Sequence, residues 1–418
     1  MMGQMAGGRR LTAAVFLVAT AAPSVGVANV TVDNTEDEQG TGFPDQRKVA
    51  RDSLGNLFVA YRKKDANQVY RIYVAKSDDD GSSWTVSGAP IDTVGPYTQR
   101  VPAIAVDGSD RVHVVWYGND AANNGNEREI MYTRSLDHGA TWQQTIKIVD
   151  YSGYAGESLW QEHPTIHARA ENVYVVWQSQ VNNVPQTRFV ASTNGGQTWG
   201  SPTIVRPSSN NRSRPSIITT SDGILHVFAY GYMGSAQQIL WSYYKPFGGW
   251  TAWTQIAAST SDQRHFSVAA DPTIARIYAV WRENTANGPR IHAAVMTSNQ
   301  WALDAAPIAS GTLDQCYPSV TATSQRVLVV WTNSTNCAAP NDRPQNGEIV
   351  MSTRSFSSSR WSSPVSIAAS PGEDVYPILR WQPVDYGGNA DMVWIQGTKV
   401  TNTPCPDCTV RHTSIEAW

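Results

Sequence analysis

The chain has 418 residues, a formal net charge of -3, and 41% apolar against 16% charged residues. This length suits one large domain or two to three smaller ones, and the apolar content excludes a disordered chain. The near-neutral charge gives no reason to expect a nucleic acid or an acidic membrane surface as a partner. The 16 Trp, 31 Gly and 23 Pro are typical of an all-β protein with many turns.

The first 28 residues have the pattern of an export signal. Arg9 and Arg10 precede an apolar run, Leu11–Ala22, and the small residues of Gly26–Ala28 suit a cleavage site. The run is too short to anchor the protein in a bilayer, and no later stretch has 18 apolar residues. We therefore expect an exported protein, periplasmic or extracellular, with one domain at 29–418 and no membrane span.

A short apolar phrase that ends in an aromatic residue recurs seven times. The repeats are spaced by about 55 residues and end at Tyr61, Trp116, Trp177, Tyr230, Trp281, Trp331 and Trp394. A second apolar phrase precedes most of them by about ten residues, often with Pro near its start. Repeats of this length predict an all-β, seven-bladed β-propeller of four-stranded blades.

The two ends of the chain complement each other in this fold. The sequence stops at Trp418, 24 residues after Trp394, near the turn where a fourth strand of the last blade would start. The segment Asn29–Asp33 is rich in Val and Thr and can supply that strand. We expect the N-terminal strand to close the ring, which leaves no open sheet edge there.

Three repeats contain a sharper motif downstream of the aromatic residue. Ser77–Trp84 and Ser135–Trp142 both read S-x-D-x-G-x-x-W, and Ser192–Trp199 has Asn in place of Asp. Asp or Asn can bond the turn backbone, and Gly accepts a positive φ. These segments resemble the Asp-box, or bacterial neuraminidase repeat, of sialidase-like propellers. The resemblance implies that each box forms the turn between the third and fourth strands of a blade, away from the active centre. Sialidases of that family have six blades, which is the alternative to seven.

In a propeller the first strand of each blade lines the central channel, so the residues that lead into it crowd one face. Alignment on the repeated Pro places there Arg47, Arg100, Glu162, His163, Arg214, Arg264, His265, Tyr317 and Tyr376. The planar guanidinium group of Arg donates two hydrogen bonds to a carboxylate. This ring of arginines therefore predicts an anionic ligand at the channel mouth. The alternative is that these polar side chains are merely solvated and bind no ligand.

The resemblance to sialidases also implies roles for these residues. Family members bind the sugar carboxylate with three Arg, use a Tyr nucleophile assisted by Glu, and use an Asp as acid/base. In this sequence the clamp would come from Arg47, Arg100, Arg214 and Arg264. The nucleophile would be Tyr317 or Tyr376, the helper Glu162 and the acid Asp45. The sequence departs from the family in three respects. Arg100-Val101-Pro102 is near to Arg-Ile-Pro but follows the first box, Glu162 comes earlier in the chain than the helper Glu of the family, and no long insertion supplies an acid loop.

The four cysteines predict two disulfides in an exported protein. Cys316 leads into a channel-lining strand and Cys337 lies in a long loop of the same repeat, so we expect these two to pair. Cys405 and Cys408 would then pair within their own loop. No metal or other cofactor is predicted.

The leading hypothesis is an exported monomer that recognises a terminal acidic sugar, and the sequence leaves open whether it also hydrolyses it as an exo-sialidase does. One alternative is a non-catalytic propeller that binds glycans or protein. Another is a uronate polysaccharide lyase with His163 and His265 as acid/base groups.

Overall fold

The computed structural model describes residues 29–37, 39–121, 125–150, 157–323, 325–337, 343–381, 389–398 and 405–415. The predicted export signal, 1–28, lies outside these residues. The regular elements of the described ranges are β-strands, and none of them contains a helix long and apolar enough to cross a membrane.

The strands form seven antiparallel sheets, the blades of a β-propeller. Blade 7 takes its outer strand, β1 (Val30–Asn34), from the N-terminus. Blade 1 contains β2 (Val49–Arg51), β3 (Leu57–Lys64), β4 (Tyr70–Ser77) and β5 (Thr85–Val86). Blade 2 contains β6 (Gln99–Val106), β7 (Val112–Gly118), β8 (Glu129–Ser135) and β9 (Ile146–Val149). Blade 3 contains β10 (Glu157–Arg169), β11 (Asn172–Val181), β12 (Val184–Ser192) and β13 (Thr203–Ile204). Blade 4 contains β14 (Ser213–Thr219), β15 (Leu225–Met233), β16 (Ala236–Lys245) and a divided outer strand, β17 (Gly249–Trp250) and β18 (Thr254–Gln255).

The remaining strands follow the same order. Blade 5 contains β19 (Gln263–Ala270), β20 (Arg276–Thr285), β21 (Gly288–Thr297) and β22 (Gln300–Leu303). Blade 6 contains β23 (Asp314–Ala322), β24 (Arg326–Ser334), β25 (Glu348–Ser355) and β26 (Val365–Ala368). Blade 7 contains β27 (Glu373–Leu379), β28 (Ala390–Gly397) and β29 (Thr409–Ile415), and β1 completes it. Seven blades, and not the six of the alternative, are confirmed.

The repeated apolar phrases form the second strands, and their aromatic ends are buried between blades. The indole N–H of Trp116 donates to Gln99 Oε1 over 2.7 Å, and that of Trp177 donates to Gln161 Oε1 over 2.6 Å. Because each Gln belongs to the first strand and each Trp to the second strand of the same blade, this bond holds the two strands together. A buried indole N–H also needs such a partner, since leaving it unpaired would cost free energy.

The N-terminal strand closes the ring as the sequence predicts. β1 pairs antiparallel with β29, with Val30 opposite His412, and Val32 is buried. Asp33 accepts a hydrogen bond from Tyr61 Oη over 2.6 Å in blade 1. The strand therefore completes blade 7 and also joins that blade to blade 1.

The three S-x-D/N-x-G-x-x-W segments form the turns between the third and fourth strands of blades 1, 2 and 3. In the second segment the Gly139 N–H donates to Ser135 Oγ over 2.8 Å, and Thr141 N–H donates to Asp137 Oδ1 over 2.8 Å. Gly139 has a φ of +79°, and a Cβ there would lie 2.8 Å from Phe58 of blade 1. The matching glycines of the other two turns pack in the same way on the preceding blade, Gly81 on His412 and Gly196 on Tyr132. These turns thus join neighbouring blades.

The segment between β1 and β2 crosses the channel, and we call residues 39–48 the plug. Gln46 Nε2 donates to Pro164 O over 3.1 Å. The Arg47 guanidinium donates to Ile166 O over 2.7 Å and to Ile217 O, and it stacks on Trp381 at 3.7 Å from the ring centre. The plug therefore spans from blade 1 to blades 3 and 4 and fills the middle of the channel.

Candidate functional site

The first strands of blades 2 to 7 share an unusual feature at the channel mouth. Each has a register shift typical of a β-bulge. At each bulge a residue other than Gly has a φ between 45° and 59°: Val101, His163, Arg214, His265, Tyr317 and Tyr376. A left-handed conformation costs such residues about 1–3 kcal/mol, and bulges commonly re-aim side chains near active sites. The repetition of this strain around one opening marks the mouth as the candidate functional face.

Four of the six bulge residues meet in one pocket. Arg214, His265, Tyr317 and Tyr376 line a cavity of about 170 Å³, together with Gln39, Gly42 and Phe43 of the plug and Arg343 of the β24–β25 loop. The His265 and Tyr317 rings stack with centroids 4.0 Å apart, and the Tyr317 and Tyr376 rings meet edge to face at 4.5 Å. The pocket therefore combines a guanidinium group, an imidazole and two phenols on rigid strand ends.

His163 and Phe43 form the wall next to Arg214. The rings of Phe43 and His163 meet edge to face at 5.4 Å, and the Arg214 guanidinium lies 4.4 Å from the Phe43 ring centre. Burial lowers the pKa of His163 well below its usual range, and the charges of Arg214, Lys48 and Arg128 lower it further. His163 is therefore neutral at neutral pH, and three cations act on this side of the mouth.

Asp45 of the plug lies beside this wall and is 3% exposed. Burial raises the pKa of its carboxyl group to about 6, although the charges of Arg214 and Lys48 act in the opposite direction. Among the described residues no hydrogen-bond partner is found for Asp45 Oδ2. Burial likewise lowers the pKa of Lys48 to about 7, although the charge of Asp45 acts to raise it. A buried carboxyl group with a pKa shifted toward neutral pH is a common feature of functional sites.

The other residues predicted from the sequence lie elsewhere. The Arg47 guanidinium is inside the channel, on Trp381. Arg264 lies 3.5 Å from Asp262 in blade 5. Glu162 is ion-paired with Arg128, and Arg100 lies close enough to Arg128 to lower its pKa. The structure thus brings Arg214, His265, Tyr317 and Tyr376 together and places Arg47, Arg100, Arg264 and Glu162 outside their pocket.

The two disulfides have the pairing predicted from the sequence, Cys316 with Cys337 and Cys405 with Cys408. The first ties β23 to the β24–β25 loop, which carries Arg343 to the pocket. Sequence reasoning missed Arg343 and the plug residues Gln39, Gly42 and Phe43. The length and the Asn and Pro content of the β24–β25 loop could have pointed to Arg343. Gln39, Gly42 and Phe43 precede the first repeat, so no comparison between repeats could have found them.

A larger cavity, of about 790 Å³, opens on the far face of the channel, where the first strands end. The three arginines that line it already have partners. Asp391 lies 2.8 Å from Arg380 and 3.1 Å from Arg51, and Arg169 donates to Thr220 O over 3.0 Å. The mouth pocket is smaller, but the four strained strand ends that meet in it make it the better candidate.

An acidic cluster of Glu127, Glu129 and Asp150 has the donor spacing of a metal site in blade 2. The Lys147 ammonium group lies 3.2 Å from Glu129 and 3.1 Å from Asp150. Since this cation already pairs with two of the three carboxyl groups, we assign no metal to the cluster.

Comparison with known proteins shows the fold. No family model and no curated protein matches the sequence. Among solved structures, the chain is similar to an ulvan lyase, from a new family of polysaccharide lyase, bound to -[GlcA(1-4)Rha3S]- (TM-score 0.59, 9% identity, 93% of this chain and 97% of that chain). It is also similar to a Hadza microbial sialidase (TM-score 0.51, 14% identity, 93% and 68%). A protein of unknown function from Dyadobacter fermentans DSM 18053 gives a TM-score of 0.50 at 17% identity over 79% and 98% of the two chains. At these identities the likeness extends to the propeller fold.

Proposed function

We propose that the protein is an exported polysaccharide lyase that binds a uronate sugar in the mouth pocket and breaks the chain beside it by β-elimination. The observation that carries the proposal is the cluster of Arg214, His265, Tyr317 and Tyr376 around one cavity. Binding of an acidic sugar at the mouth was expected from the sequence, and lyase chemistry was one of its alternatives.

Arg214 supplies the contact for the sugar carboxylate. Its guanidinium group is held against Phe43 at 4.4 Å and lines the cavity. A planar guanidinium can donate two hydrogen bonds to a carboxylate. Pairing with a cation also makes the proton on the adjacent ring carbon more acidic, because it stabilises the negative charge that develops when that proton leaves.

His265 and the two tyrosines supply the proton transfers. A base takes the proton from the carbon next to the carboxylate, and that electron pair forms a carbon–carbon double bond. The bond to the neighbouring glycosidic oxygen breaks at the same time, and an acid gives this oxygen a proton. His265 stacks on Tyr317 and Tyr376 adjoins them, which supports the proposal that one of these side chains acts as the base and another as the acid.

The alternative of sialidase-type hydrolysis needs a tyrosine that is activated by a carboxylate. Glu162, the predicted helper, is paired with Arg128, whereas Tyr317 lies against His265. The shared fold of the ulvan lyase, whose bound sugar contains GlcA, agrees with the lyase proposal. The pairing of Glu162 with Arg128 favours elimination over hydrolysis.

The test is incubation with a panel of uronate polysaccharides while ultraviolet absorbance of the new double bond is followed. The wild type should produce that absorbance. Tyr317→Phe should lose about 10²–10⁴-fold in rate, the usual contribution of a general acid or base. Tyr244→Phe, an exposed tyrosine at the far end of blade 4, is the matched control and should be unchanged. Release of sialic acid from a sialoside without such absorbance would refute the lyase proposal in favour of hydrolysis. Glycan binding without turnover would favour a binding propeller.

A further inference from the structure

An exposed tryptophan lies on the mouth face next to the proposed site. Trp160 is 47% exposed, although most of the 16 tryptophans of this chain serve the packing between blades. Its backbone is fixed, because Trp160 forms a bridge with Arg128 and the next residue, Gln161, donates to Arg128 O over 2.9 Å. The Arg128 guanidinium lies 4.2 Å from the Trp160 ring centre. The indole is thus held rigidly in a partly solvated position.

A continuous strip of side chains joins this indole to the pocket. Phe43 of the pocket wall contacts His163 at 5.4 Å, and His163 contacts Tyr117 at 5.8 Å. Arg128 lies 5.9 Å from the Tyr117 ring and 4.2 Å from the Trp160 ring. The strip runs from the channel axis outward over the mouth ends of blades 2 and 3.

The outer end of the strip is cationic. Burial lowers the pKa of Arg128, and the charge of Arg100 lowers it further, which shows that the two guanidinium groups act on each other. Glu162 pairs with Arg128. No hydrogen-bond partner of Arg100 Nε, a buried atom, occurs among the described residues. Arg100 and Arg128 thus bring two guanidinium groups, of which Arg128 is paired with Glu162, to the end of the strip beside the exposed ring.

We infer that Trp160, Arg128 and Arg100 form a second sugar subsite, which holds an anionic unit of the same polysaccharide farther along the polymer than a disaccharide bound in the pocket reaches. The apolar face of a sugar ring would pack on the indole, and a carboxylate or sulfate group would lie against the guanidinium pair. This inference rests on the proposed function and adds a second sugar-binding position to it. Since the strip leads away from the pocket, the enzyme would bind along a polymer and cut within it, in contrast to the exo action expected from the sequence.

The experiment compares Trp160→Ala and Arg100→Gln with the wild type on long and short forms of one uronate polysaccharide that the wild type binds. Each variant should weaken binding of the polymer about tenfold and leave binding of the disaccharide unchanged. Phe247→Ala, which removes a fully exposed aromatic ring from the β16–β17 turn on the far face, is the matched control and should bind as the wild type does. Thermal midpoints equal to that of the wild type show that the variants are folded.

The outcomes separate the two proposals. Unchanged polymer binding in both variants, or equal losses for polymer and disaccharide, would overturn the second subsite while leaving the lyase proposal intact. Binding losses confined to the polymer, in a protein that produces no ultraviolet absorbance, would support the subsite and refute elimination. Early products of intermediate length would support cutting within the chain, and stepwise release of single units would overturn it.

Discussion

Asp45 gives the sharpest quantitative prediction, because a buried carboxylate is costly to retain. Its pKa is about 6 in the folded protein, against an ordinary value of 3.8. One pH unit of difference corresponds to about 1.4 kcal/mol, so ionised Asp45 lowers the free energy of unfolding by about 3 kcal/mol at neutral pH. The folded protein holds this proton more tightly than the unfolded chain. The cost therefore develops as the pH rises from about 4 to about 6 and stays constant above that.

Asp45→Asn removes the charge and keeps the shape. At pH about 4, where the carboxyl group is protonated in both states, the variant and the wild type should differ little. At pH about 7 the variant should be more stable by up to about 3 kcal/mol. Urea denaturation of both proteins across this pH range measures the difference, and the titration of groups that do not interact with Asp45 cancels in the comparison.

A stability difference that does not change with pH would refute the reasoning, because Asp45 would then titrate normally. A variant that becomes less stable as the pH rises would mean that ionised Asp45 is stabilised by Arg214 and Lys48 more than burial destabilises it. If the expected gain appears, uronate turnover by the variant should be measured too. A loss of activity there would explain why the chain retains a destabilising residue beside Arg214.

Two further predictions concern the frame that holds the site. Gly139→Ala should lower the free energy of unfolding by about 2–3 kcal/mol, because the φ of Gly139 is +79° and a Cβ there would lie 2.8 Å from Phe58. Gly88→Ala is the control and should cost almost nothing, because no atom lies within 4 Å of the added Cβ. Equal denaturation midpoints for the two variants would contradict this packing. Asp391→Asn should cost about 3–5 kcal/mol at neutral pH, since it removes the buried counter-ion of Arg51 and Arg380. Although burial acts to raise it, the pKa of Asp391 is lowered by His412, Arg380 and Arg51. The contribution of Asp391 is therefore present above its ordinary pKa and is lost only in strong acid. A variant as stable as the wild type at pH about 7 would contradict this.

The sequence predicted the fold well because the repeats are local patterns. The phrase Asn172–Trp177 lies within β11, and the other phrases likewise mark second strands, since a strand buried on both sides must be apolar throughout. The missing strand of blade 7 could be assigned to Asn29–Asp33 because a closed ring requires each blade to be complete. The number of blades and the closure of the ring can therefore be predicted from the periodicity of the sequence.

The site was harder to predict because it depends on a segment outside the repeats. Alignment put Arg47 at the mouth with the other arginines, but β2 starts only at Val49, and the Arg47 side chain turns into the channel toward Ile166. Phe43 contacts His163, although the two residues are 120 positions apart in the sequence. Such long-range placement follows from the closed ring and not from any local pattern.

The position of a bound sugar tests the central claim most directly. A crystal structure with a uronate oligosaccharide should show the sugar in the mouth pocket, with its carboxylate on the Arg214 guanidinium and its ring beside Tyr317. An oligosaccharide bound instead in the far-face cavity near Arg169, with the mouth pocket empty of sugar, would contradict the account.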